Sequence, residues 1–150
     1  MLRPACCADA QIVDKIDRTV FGYKTDLDYP KVLKQGWSFI FEVDGKNVAH
    51  IIVSGTRRLF IESLAVMKRY RGRGFAHALR KFFSNFLKTS KQMTLVRKVI
   101  EFGMTIKLVV EDGNSIAFHL YEKNGFQSFG DPIKNYFYGK DGIKMVLNHP

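Results

Sequence analysis

Cysteine, tryptophan and proline are all scarce in this chain: two, one and four among 150 residues. The two cysteines, Cys6 and Cys7, are neighbours in sequence. Adjacent positions are poor geometry for a disulfide framework, and two cysteines cannot supply the paired CxxC units of a structural zinc site. His50, His77, His119 and His149 have no metal-ligand spacing with one another or with a cysteine, so no metal is expected. No apolar run approaches the roughly 18 residues that span a bilayer. Arg3 and Pro4 interrupt any secretory h-region, and a reducing, cytoplasmic setting is the expectation. Repeats, low-complexity tracts and linkers are absent too. One domain spanning residues 1–150 is therefore expected, and a 46% hydrophobic content is enough for one core.

Acid is also in short supply. Fourteen Asp and Glu face twenty-four Lys and Arg, a net charge of +10. Such a balance often marks a nucleic-acid or anionic-membrane partner. Here the bases are dispersed rather than gathered in a tail, and no zinc-finger or RNP1-like string occurs. Solvated surface is the expected reading of most of this charge, with functional polyanion binding as the alternative.

What the chain does have is Arg69-Tyr70-Arg71-Gly72-Arg73-Gly74, between an apolar strand pattern and an amphipathic helix pattern. Glycines let backbone approach an anion closely, and the N–H groups of a helix start point at it. Lys68 and three arginines surround this turn. A Walker loop is excluded because no GxxxxGK[ST] string exists. A dinucleotide fingerprint is excluded because His77 stands where its third glycine belongs.

The spacing R/Q-x-x-G-x-G/A does fit, with Arg69, Gly72 and Gly74 at its marked positions. A second pattern follows an apolar strand at Thr105 to Val110: Asn114, Ala117, Tyr121, then Gly125-Phe126. With the opening Leu2-Arg3-Pro4-Ala5 and Asp9, these motifs resemble the GNAT superfamily of acetyl-CoA-dependent N-acetyltransferases over nearly the whole chain. The resemblance implies an α/β (α+β) domain with a central mixed, mostly antiparallel, twisted sheet flanked by helices. It implies acetyl-CoA as co-substrate and direct attack by an amine in a ternary complex.

Local patterns agree with alternating elements. A short strand at Leu2 to Ala5 precedes a helix from Ala8 to Phe21, with Ile12, Val13, Ile16 and Val20 at helical spacing. Gly22 to Pro30 reads as a loop, followed by a short helix ending near Gly36. Trp37 to Val43 and Val48 to Ser54 form a hairpin on Asp44-Gly45. Leu59 to Val66 is a strand, and from Phe75 a one-sided helix carries Ala78, Leu79, Phe82, Phe83, Phe86 and Leu87. Lys91 to Gly103 reads as a helical insertion or extension. Phe126 to Phe129 and Ile143 to Leu147 close the sheet, with a turn at Asp141-Gly142.

The chemistry sets requirements. An amine with pKa near roughly 10.4 is ammonium at pH 7, and deprotonating it costs about 4 to 5 kcal/mol. The site needs a base, donors for a developing oxyanion and an acid for the leaving thiolate. Asn114, Ala117 and Tyr121 share one helix face. By resemblance, Asn114 contacts the pantetheine arm and Tyr121 meets the sulfur as the acid. The alternative for Tyr121 is a core tyrosine. Glu62 is the candidate base, sharing a strand face with Phe60, Leu64 and Val66. The protein-lysine branch of the family places its glutamate where this chain has Phe60. An ordinary rim carboxylate is the other reading of Glu62, and Glu111 and Asp112 are alternative bases. By resemblance, Leu64, Ala65 and Val66 pair with the pantetheine as an added strand. Arg71, Gly72, Arg73, Gly74 and Phe75 then hold the pyrophosphate, with Arg69 contacting it or bracing the loop. The histidines read as surface or packing residues.

The acceptor is approached through the loops that wall it in the family. They carry Asp26 and Asp28 early, and Asp131, Tyr136, Tyr138 and Asp141 late. Carboxylates and tyrosines suit a cationic amine. A small polycationic amine such as a polyamine is therefore expected, bound by Asp26, Asp28, Glu62 and Tyr138, with a protein lysine or N-terminal amine as the alternative. A different class, a non-catalytic coenzyme-binding or basic nucleic-acid-binding module, stays open. Monomer and homodimer are not distinguished.

Overall fold

A computed structural model describes residues 1–56, 58–74 and 105–147 of the chain. The helix expected from Phe75, the segment 91–103, His77 and His149 lie outside the described residues. Those described fall into two compact units: 1–56 with 60–74, and 58–59 with 105–147.

The first unit is built on antiparallel strands in sequence order: β1 (Leu2–Pro4), β2 (Phe39–Val43), β3 (Lys46–Ser54) and β4 (Leu59–Val66). Asp44 and Gly45 join β2 to β3 with φ of 50° and 69°. Two successive left-handed residues match the twist of paired strands, which explains the Asp-Gly signal. Helix α1 (Ala10–Phe21) follows a single 3₁₀ turn at Cys7–Asp9 and ends on Gly22, whose φ is 79°. Helix α2 (Tyr29–Leu33) starts on Asp28, whose side chain accepts from the Lys31 N–H. Val13, Tyr29, Val32, Leu33, Ile40 and Ile52 make the core of this unit.

Strand β4 alternates without a break, with Leu59, Ile61, Ser63 and Ala65 buried and Phe60, Glu62, Leu64 and Val66 half-buried. Its pairing with β3 is interrupted, however. Ile52 faces Ser63 while the next residue, Val53, faces Ile61. Glu62 is thus the extra residue of a β-bulge, a device that re-aims a side chain.

In the second unit, β8 (Lys140–Leu147) pairs antiparallel with β5 (Ile106–Glu111), and also with β6 (Gln127–Ser128) and β7 (Ile133–Phe137). Helix α3 (Ser115–Lys123) lies between β5 and β6 in sequence. Strand and helix content together bear out the α+β class.

One expected turn is corrected. Asp141-Gly142 lies inside β8, and the chain reverses at Tyr138 and Gly139 instead, with φ of 43° and 100°. The sequence reading also missed β7. Gly142 is glycine for want of space: a Cβ there would stand 2.4 Å from Val109 Cγ1 and 3.0 Å from Tyr136 Cβ. A glycine inside a strand marks close approach as readily as a turn.

Candidate active site

The basic turn takes shape directly after β4. Lys68–Tyr70 form a 3₁₀ turn, and Arg71 to Gly74 continue as exposed chain. Gly72 and Gly74 have φ of 74° and 84°, a backbone that side chains rarely adopt, with no heavy atom of the described residues within 4 Å of a notional Cβ. Tyr70 is buried, and its ring carries the guanidinium groups of Arg69 and Arg73 at 4.9 and 5.5 Å from its centroid. Stacking on one ring gathers two of the three arginines beside an open glycine backbone. The third, Arg71, donates from Nε to the Val66 carbonyl at 3.0 Å. Open space, left-handed glycines and exposed guanidinium groups suit a pyrophosphate. Phe75 lies outside the described residues.

On β4, Glu62 shares its half-buried face with Leu64 and Val66, as alternation predicts, and Ala65 is buried on the other. Val66 O already accepts from Arg71, and a carbonyl has a second lone pair for a further partner. Ser54 Oγ donates to Glu62 Oε1 at 2.5 Å. Sequence reasoning missed Ser54. Only the β3–β4 register brings it close, so no local pattern could have revealed it.

In the second unit, Asn114 is the N-cap of α3, its Oδ1 accepting from the Ala117 N–H at 3.2 Å. Tyr121 lies two turns along and is buried, its ring edge-on to Phe126 at 5.5 Å between centroids. Burial pushes the Tyr121 phenol well above its ordinary range. At neutral pH Tyr121 is a hydrogen-bond donor. Glu111 accepts from Lys140 at 2.5 Å, and Asp112 is exposed.

The acidic residues of the two loops fare differently. Asp26 and Asp28 are exposed, Asp28 also serving as the cap of α2. Asp141 is held by Lys134 at 2.6 Å and by the Asn135 N–H at 3.1 Å. These contacts lower the Asp141 carboxyl and raise the Lys134 ammonium from their usual values. Tyr136 and Tyr138 are 44% and 74% exposed, and Asp131, ahead of this hairpin, is exposed as well.

Among the described residues no group of His, Cys, Asp and Glu is arranged to hold a metal ion. His119 is exposed and contacts Glu122, whereas His50 is fully buried in a polar cluster that sequence reasoning did not foresee.

Residues 34–128 match the family model described as the acetyltransferase (GNAT) domain. No curated protein sequence matches the chain. Among solved structures, the Escherichia coli ribosomal-protein-S18-alanine N-acetyltransferase superposes with a TM-score of 0.75 at 21% identity, covering 99% of this chain and 92% of that one. Arabidopsis thaliana Naa50, in complex with a bisubstrate analogue, gives 0.79 at 19% identity, covering 99% and 98%. A spermidine N-acetyltransferase chimera that includes Vibrio cholerae sequence gives 0.68 at 16% identity, covering 99% and 95%. At these identities the structural likeness concerns the fold.

Proposed function

The chain belongs to the GNAT acetyltransferases, and from that premise we propose that it acetylates a primary amine, with a peptide or protein amine as the preferred acceptor. Acetyl-CoA supplies the activated acetyl thioester. Arg69, Arg71, Arg73, Gly72 and Gly74, with Phe75 beyond them, would hold its pyrophosphate, and the backbone of Leu64 to Val66 with Asn114 its pantetheine arm. Glu62 takes the proton from the acceptor ammonium. The Tyr121 hydroxyl donates a hydrogen bond to the departing sulfur. A phenol raised by burial is a poor proton source but a sound hydrogen-bond donor, so it stabilises the thiolate without giving up its proton.

The observation that carries the acceptor reading is the charge state of the late hairpin. Lys134 neutralises Asp141 and Lys140 meets Glu111, while Tyr136 and Tyr138 are exposed. A trivalent amine would approach a protein of net charge +10, and of the two late-loop carboxylates Asp131 is exposed while Asp141 is already paired. A single ammonium on a peptide needs less acid and gains from aromatic contact. The small polycationic amine remains the second reading, supported by the exposed Asp26 and Asp28 of the early loop.

Thiol release from acetyl-CoA across putrescine, spermidine, an aminoglycoside, and free-N-terminus and lysine-rich peptides decides between them. A peptide preference of about a hundredfold in kcat/KM is expected. The same preference for spermidine would replace the peptide reading. Absence of acetyl-CoA binding would overturn both.

A further inference from the structure

Among the described residues, one buried carboxylate of the first unit has no Lys or Arg countercharge. Asp17, on α1, is fully buried. Its Oδ1 accepts from Ser63 Oγ of β4 at 2.7 Å and lies 3.0 Å from His50 Nε2 of β3. Its Oδ2 accepts from the Tyr29 hydroxyl of α2, and that hydroxyl is 2.6 Å from Thr25 Oγ1 in the early loop. Burial and the Asp17 contact hold the Tyr29 phenol above its ordinary range, so it remains a donor. His50 Nδ1 is buried without a hydrogen-bond partner among the described residues. That leaves Nε2 as the nitrogen carrying the proton toward Asp17. Burying such a cluster is costly compared with packing apolar groups, and a specific task would offset that cost.

Its location supplies one. Ser63 is the neighbour of the bulge residue Glu62, and it points to the opposite face of β4. A bulge forfeits ladder hydrogen bonds and so loosens the strand where it occurs. Here Ser63 ties the strand to Asp17 on the core face, while Ser54 holds the Glu62 carboxylate on the other. We propose that Asp17, His50 and Ser63 are positioning residues that clamp the β4 bulge and thereby aim Glu62 at the acceptor amine. This rests on the reading of Glu62 as the base.

The test compares Ser63→Ala, Glu62→Gln and the double variant, each checked for folding by circular dichroism. With the clamp acting through Glu62, Ser63→Ala lowers kcat about tenfold and leaves KM for acetyl-CoA within about twofold. In the Glu62→Gln background the same change alters kcat by less than about twofold. If Ser63→Ala fails to fold, Tyr29→Phe, which removes only the hydroxyl on Asp17, carries the same comparison. A fall of equal size in both backgrounds overturns the clamp and leaves Glu62 as the base. An unchanged kcat in Glu62→Gln alone overturns the base assignment, and the clamp with it.

Discussion

Tyr121 and Asp9 show how one environment fixes one side chain's chemistry. Removing only the Tyr121 hydroxyl leaves the ring packed on Phe126. Tyr121→Phe should therefore lower kcat about tenfold or more while barely changing Tm, as thiol-release kinetics and thermal melts will show. Asp9 is buried against Arg3, which donates to its two oxygens at 2.9 and 2.8 Å, and the Cys6 N–H adds a third bond. The hydrogen bonds from Arg3 lead in holding this carboxyl down at about 2, against an ordinary 3.8. The unfolded chain thus takes up the proton first. The stabilisation, about 2 kcal/mol, is complete above pH 4 or so and is lost as the pH falls toward about 2. Arg3→Met should lower Tm at pH 7, and that deficit should fade in melts near pH 2.

At the scale of the element, α3 and β8 offer separable tests. Asn114 caps α3, and Asn114→Ala should cost about 0.5 to 2 kcal/mol in denaturant unfolding. Asn114→Asp keeps the capping oxygen and removes the amide donor. If the amide also holds the pantetheine arm, this variant keeps its stability and raises KM for acetyl-CoA. In β8, Gly142→Ala drives a methyl into Val109 and Tyr136, and a loss of about 1 to 3 kcal/mol should appear in the same unfolding measurement. The Asp141-Gly142 pair also shows how an element is misread. Asp-Gly is the usual composition of a tight turn, yet Tyr138 and Gly139 make the reversal, and crowding by Val109 and Tyr136 keeps residue 142 small.

Across the whole molecule, charge is the property with the longest reach. A net +10 with exposed arginines at the basic turn attracts a polyphosphate at a distance, and salt screens that attraction within about 10 Å at 0.1 M. KM for acetyl-CoA should rise severalfold between low salt and about 0.5 M salt while kcat holds steady. Arg73→Ala should flatten that dependence. A salt-independent KM would reduce the surplus charge to plain solvation.

Much of the chain was legible because its causes are local. Asp44-Gly45 turns through its own dihedral angles, and β4 announces its faces by alternation over eight residues. Asn114 caps the helix that begins beside it, and Gly72 and Gly74 take the left-handed backbone that the basic turn needs. Gly72, Gly74 and Asn114 are among the residues that carried the family resemblance, and all of these features depend on neighbours within a few positions. Only tertiary structure decided the rest. Asp17, His50 and Ser63 come from a helix and two strands, and no periodicity links them. The bulge at Glu62 is a property of register between two strands, invisible in either alone. Lys134 and Asp141 read as separate charges until β7 and β8 pair. Backbone conformation follows from sterics close by in sequence, whereas hydrogen-bond partners and charge neutralisation depend on which distant segments the fold brings together.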